Sequence, residues 1–144
     1  MTSHERLVGR NVLIAMGLWW CFSLLGSLVI WAWNWAFIYN RGFTGPTGDA
    51  IRIALSLPGY VISGVLVGIG AAWFIESPHV MAWATSLGLL IALGDAKSWN
   101  AMLYRGRSVV DTAITALAIA GSIVVGCWYG LRLKAARLKR REVA

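Results

Sequence analysis

Charge is scarce in this chain. Charged residues make up 13% of its 144 positions, about half the share usual in soluble domains. A water-facing catalytic domain is therefore not expected. Histidine is nearly absent too: His4 and His79 lie on separate segments, and no Cys, His or carboxylate spacing suits a structural zinc site. The two cysteines, Cys21 and Cys127, both fall inside apolar runs at different depths. A disulfide between them is not expected, and both read as buried free thiols acting as small hydrophobes. There is no phosphate-binding G-x-x-x-x-G-K-[ST] loop, no G-x-S-x-G elbow and no H-E-x-x-H pair. A Ser/His/Asp triad would have to bring together His79 and Asp95, about one bilayer apart. No catalytic, cofactor-binding or metal-binding residue is assigned.

Apolar sequence is what the chain does contain. Hydrophobic residues are 58% of the total and the mean hydropathy is +0.67. Four uncharged runs cover 12–38, 53–75, 80–94 and 112–131, of 27, 23, 15 and 20 residues. A run of about 18 or more apolar residues is long enough for a transmembrane helix. The expected fold is all-α: one polytopic membrane domain over residues 1–144, a bundle of four transmembrane helices with short loops. The helices are placed at about 11–38, 52–75, 78–100 and 108–133, with a basic tail over 132–144. Arg6 and Arg10 before the first run imitate a secretory signal, but an apolar stretch of 27 residues is far longer than a signal core of about 7–15. The expectation is an uncleaved anchor.

Small residues recur at helical spacing. Gly64, Gly68 and Ala72 stand four apart in the second run, Ala84, Gly88, Ala92 and Ala96 in the third, and Ala118, Ser122, Gly126 and Gly130 in the fourth. Such stripes let helix backbones approach closely in lipid. Pro58-Gly59 marks a plausible kink, Ser77-Pro78 an N-cap and first helical residue, and Ser108 to Asp111 a second capping signal. Trp31, Trp33, Trp35 and Tyr39 suit an aromatic belt. Trp19 and Trp20 lie deeper and are expected to pack against neighbouring helices.

Net charge is +7, and the positives cluster late: Arg132, Lys134, Arg137, Lys139, Arg140 and Arg141. Directly after an apolar run, such a cluster attracts anionic lipid headgroups. Nucleic acid is the other partner a basic tail suggests, but no aromatics are interleaved with these charges, so none is expected. With four spans and the N-terminus inside, eight positives fall inside and five outside, which favours cytoplasmic termini. A three-span alternative, with 53–94 forming one span and a re-entrant piece, would put the termini on opposite sides. Ten arginines against three lysines, without a soluble domain, fit a bacterial cytoplasmic (inner) membrane.

One polar cluster stands out on the expected far side: Asp49, Arg52, Asp95, Lys97, Asn100, Arg105, Arg107 and Asp111. Asp95 is its sharpest member, because a carboxylate near the end of an apolar helix is costly unless paired or hydrated. Arg52 is its expected ion-pair partner, Lys97 being too near in sequence to face it well. Glu76 and His79 read as solvated loop residues, or as a pH-sensitive pair.

Three functional classes remain. Favoured is a non-enzymatic subunit, or an assembly or accessory factor, of a larger membrane complex, acting through helix contacts with other subunits or with copies of itself. The alternative is an oligomeric channel, holin-like pore or small transporter using the cluster around Asp95. An intramembrane enzyme ranks third, since it would need several polar groups at one depth.

Overall fold

The computed structural model describes residues 3–37, 45–94 and 109–143, and among them the protein is all-α. The helices are α1 (Ser3–Phe37), α2 (Gly45–Phe74), α3 (Val80–Gly94) and α4 (Val109–Val143). Three of these helices are long and apolar enough to cross a membrane, over Glu5–Val29, Ala54–Phe74 and Val109–Arg141. The protein is thus a helical bundle with the makings of an integral membrane protein. The helices outrun the apolar stretches that announced them: α1 begins at Ser3, α2 at Gly45, and α4 continues through the basic segment to Val143. Hydropathy marks the lipid-crossing part of a helix, whereas backbone bonding continues while good helix formers follow, as Lys, Arg, Leu and Ala do after residue 131. α2 also runs unbroken through Pro58.

Between α2 and α3 the Ser77 hydroxyl accepts the His79 N–H at 3.1 Å, and the Trp83 N–H donates to His79 O at 3.1 Å. Ser77 thus caps α3, with Pro78 after it in the position where a missing N–H costs nothing. α3 is described as far as Gly94, about 22 Å of helix at 1.5 Å per residue. Its expected continuation through Asp95 and Lys97 lies outside the described residues, as do Ala96 and the Ser108 cap.

The closest packing joins helices that are not consecutive. α2 and α4 run parallel: Gly64 faces Ser122, Gly68 faces Gly126, and Ala72 faces Gly130, each pair four residues after the last. A Cβ on Gly68 would run into the Ile123 carbonyl and stand 2.6 Å from Cys127 N; one on Gly126 would run into the Val65 carbonyl. Glycine is therefore obligatory at both crossings, because backbone meets backbone there. Lipid tails are as apolar as the helix surfaces, so this association is driven by close packing rather than by hydrophobic transfer. Ile119, Ile123 and Cys127 fill the seam and are fully buried.

α3 closes against the other side of α4, where Gly88 lies over the Ala120 backbone, with Ala84 and Ala92 also buried. Ala118 is half-buried. α1 runs antiparallel to α2, with Leu18 against Gly70 and Phe22 and Gly26 beside Ser63. It is the most peripheral of the long helices. Trp19 reaches Gly94 of α3, but Trp20 turns outward and is 69% exposed, so the expected lateral packing of both rings holds for Trp19 alone. Cys21 also differs from expectation. It is exposed on α1, while Cys127 is buried. Periodicity placed Cys21 in an apolar helix without saying which side of that helix meets the bundle.

Candidate functional site

Buried polar side chains in the helix interiors are few, and most serve their own backbone. Ser63 donates to Gly59 O at 2.9 Å, Thr115 to Asp111 O at 2.9 Å, and Ser122 to Ile119 O at 2.8 Å. Thr85, exposed on α3, donates to Met81 O at 2.9 Å. A hydroxyl bonded back to the preceding turn meets its own hydrogen-bonding need without a partner helix. Among the described residues, no group of three or more His, Cys, Asp or Glu is placed to hold a metal ion.

The most developed polar arrangement lies at the end of the bundle where α2 gives way to α3. Helix α2 ends at Phe74 with carbonyls that its own turns no longer satisfy. Two other helices supply donors. Asn11 Nδ2 on α1 donates to Glu76 O at 3.1 Å, and Lys134 Nζ on α4 donates to Ala72 O at 3.4 Å. A lysine at a helix C-terminus also meets the negative end of the helix dipole. Arg10 completes the clasp through a 2.7 Å ion pair with Glu76. Both partners are partly solvated, and an exposed pair of this kind contributes little to stability. It joins α1, more than one turn after its start, to the α2–α3 turn.

Arg10 also holds the Glu76 carboxyl below its ordinary range, first through the hydrogen bond and then through its charge, with a smaller contribution from Lys134. Just beyond, the Arg137 guanidinium lies 5.5 Å from the centre of the Trp73 ring, and Arg132 lies 3.9 Å from that of Trp128 on its own helix. Cations over indole faces keep their charge while covering apolar surface.

One atom in the clasp is left over. Asn11 is 2% exposed, and its Oδ1 has no hydrogen-bond partner. A buried water bridging to a neighbouring group is the usual resolution for such an oxygen.

Sequence reasoning missed this cluster. Glu76 and His79 are exposed in the α2–α3 turn as expected, and Glu76 is in addition ion-paired with Arg10. The signal was an unused one: Arg10-Asn11 opening one apolar run, Glu76 closing the next, and Lys134 following the last all fall at the same end once the chain is folded into hairpins. The sequence-favoured site fares differently. Asp95 and Lys97 lie outside the described residues, as do the side chain of Arg52 and residues 95–108 generally. Asp111 opens α4, where its backbone carbonyl accepts the Thr115 bond. Comparison with known proteins returns no match: no family model, no characterised protein and no solved structure is significantly similar to this chain.

Proposed function

We propose that this protein works by contact: a small non-enzymatic subunit or assembly factor of a larger membrane complex. The reading places it in the bacterial cytoplasmic membrane with both termini on the cytoplasmic side, where its basic C-terminal segment meets anionic lipid. One observation carries most of it. α1 turns a row of large rings outward, with Trp20, Trp31 and Trp35 69%, 64% and 61% exposed. Trp31 and Trp35 suit the aromatic belt, but Trp20 lies deeper in the same outward row, and tryptophan is a common anchor between packed surfaces. The interior supports the same reading, because backbone-tight α2–α4 packing leaves no room for a transported solute between those helices.

Mild detergent extraction of the tagged chain from its native membrane tests the proposal. Co-purification of a discrete set of other membrane chains, lost on Trp20→Ala with Trp31→Ala, is the expected result. A homo-oligomer that conducts ions in liposomes would replace it with the channel reading. A solitary monomer whose removal leaves every membrane complex intact would end it.

A further inference from the structure

The parallel register of α2 and α4 has a consequence at the clasp. Continued by the same four-residue steps, the pairing that sets Ala72 against Gly130 brings Phe74, the end of α2, level with Arg132. Helix α4 then runs on alone over 133–143, about 16 Å at 1.5 Å per residue. The face that carried Ile123, Cys127 and Gly130 against α2 continues at helical spacing through Lys134, Arg137 and Arg141. Where its glycine-lined partner ends, the same stripe turns basic.

These side chains do not reach away from the bundle. A helix tilts its side chains toward its own N-terminus, and for α4 that direction leads back along α2. Lys134 accordingly reaches Ala72 O and Arg137 covers Trp73, both residues of the membrane-crossing helix. Their charges are drawn to the level where the apolar helix stops, which is the depth of lipid phosphates. Neutralisation there is incomplete. Glu76 is bonded to Arg10 at 2.7 Å and feels Lys134 only as a weaker charge, so its carboxylate is committed to Arg10. Lys134 spends one N–H on Ala72 O and retains two, and a contact with the Trp73 ring face consumes none of the guanidinium N–H donors of Arg137.

We propose that Lys134 and Arg137, roofing the end of α2, form a seat for the phosphate of one anionic phospholipid. The inference rests on the chain being membrane-embedded with this end at a lipid surface, and it does not depend on a partner subunit. An acidic protein segment is the less favoured occupant, because a protein approaching from water would meet Arg140 and Arg141 farther out, whereas these two cations are folded back to the membrane.

The test uses the full chain in zwitterionic detergent, titrated with phosphatidylglycerol or phosphatidylcholine and read by native mass spectrometry as bound lipids per chain. One phosphatidylglycerol should be retained in preference to phosphatidylcholine. Lys134→Gln with Arg137→Gln should weaken its binding about 30-fold, taking roughly fivefold for each basic residue at the surface. Arg132→Gln with Lys139→Gln removes the same charge at the same mean height from the opposite side of α4, and should weaken binding clearly less than the first pair, because neither of these cations would touch a seated phosphate. Equal losses from the two pairs would refute the seat and leave only diffuse attraction. Displacement of the lipid by equimolar inorganic phosphate would refute it in favour of a soluble-anion site, and displacement by a glutamate-rich peptide would favour a protein partner. Because Lys134 also holds the end of α2, Arg137→Gln alone provides the check that perturbs folding less. It should lose about fivefold in lipid binding while remaining folded, its thermal midpoint lowered by no more than one exposed cation–π contact accounts for. If it binds like the parent protein, the seat is wrong. Failure of lipid binding with co-purifying partners intact would leave the subunit reading standing.

Discussion

Replacing Gly68 by alanine adds one methyl group to the protein, at the point where α2 and α4 are closest. The new Cβ would overlap the Ile123 carbonyl, stand 2.6 Å from Cys127 N and 3.0 Å from the Gly126 carbonyl carbon. All three are backbone atoms, so no side chain can rotate out of the way. Restoring ordinary contact requires the helices to separate by about 1 Å, and a gap of that size forfeits a quarter to a half of each dispersion contact along the seam. Overpacking costs about 1–3 kcal/mol, and a rigid obstacle belongs at the upper end. Gly68→Ala should therefore destabilise by about 3 kcal/mol, and Gly126→Ala, whose Cβ meets Val65 Cα at 2.7 Å, by about as much. Gly88→Ala, 3.1 Å from Ala120 Cα, should cost about 1 kcal/mol. Gly121 has nothing within 4 Å and is the control: alanine there should be neutral or slightly stabilising through helix propensity. Gly68→Ala with Gly126→Ala should cost clearly less than the sum, since one separation of the helices relieves both clashes. Equilibrium unfolding in mixed micelles, followed by helical circular dichroism, measures all five. A Gly68→Ala protein within about 0.5 kcal/mol of the parent, or a Gly121→Ala protein as weak as it, would show that these backbones are not in contact.

The remaining predictions are briefer. Because Arg10 depresses the Glu76 pKa, the pair's contribution is present above the ordinary carboxyl value of 4.5 and is lost as pH falls through the lower folded value. Thermal midpoints measured downward from pH 6 should therefore drop more steeply for the parent than for Glu76→Gln, and parallel curves would contradict a functioning pair. Cysteines placed at Glu76 and Val143 should share one accessibility to a membrane-impermeant thiol reagent, shielded in intact cells, while one at Thr47 reacts; labelling of Val143 from outside would overturn the cytoplasmic assignment. For Asp95 and Arg52, a double-mutant cycle with Asp95→Asn and Arg52→Gln should show coupling of about 1 kcal/mol if they pair near the interface. Zero coupling with lost activity and intact folding would favour proton or cation binding instead.

The sequence by itself determined that this is an apolar, all-α chain built from membrane-length helices. Uncharged runs of 27, 23 and 20 residues leave few other structures, since a backbone in lipid must satisfy its own hydrogen bonds. The stripes Gly64-Gly68-Ala72 and Ser122-Gly126-Gly130 were equally legible, because a four-residue spacing defines a helix face without any knowledge of its neighbour. Their pairing was not legible. Local periodicity carries no information on which face meets which, and chain order alone brings α2 beside α3 rather than into parallel register with α4. Only the tertiary structure decided that, along with the outward turn of Trp20 and Cys21. It also assembled the clasp, since Arg10, Asn11, Glu76 and Lys134 come from three separate regions of the chain. They meet because α2 ends one short turn before α3 begins, and its unsatisfied carbonyls there must find donors on whatever helices the packing has brought alongside.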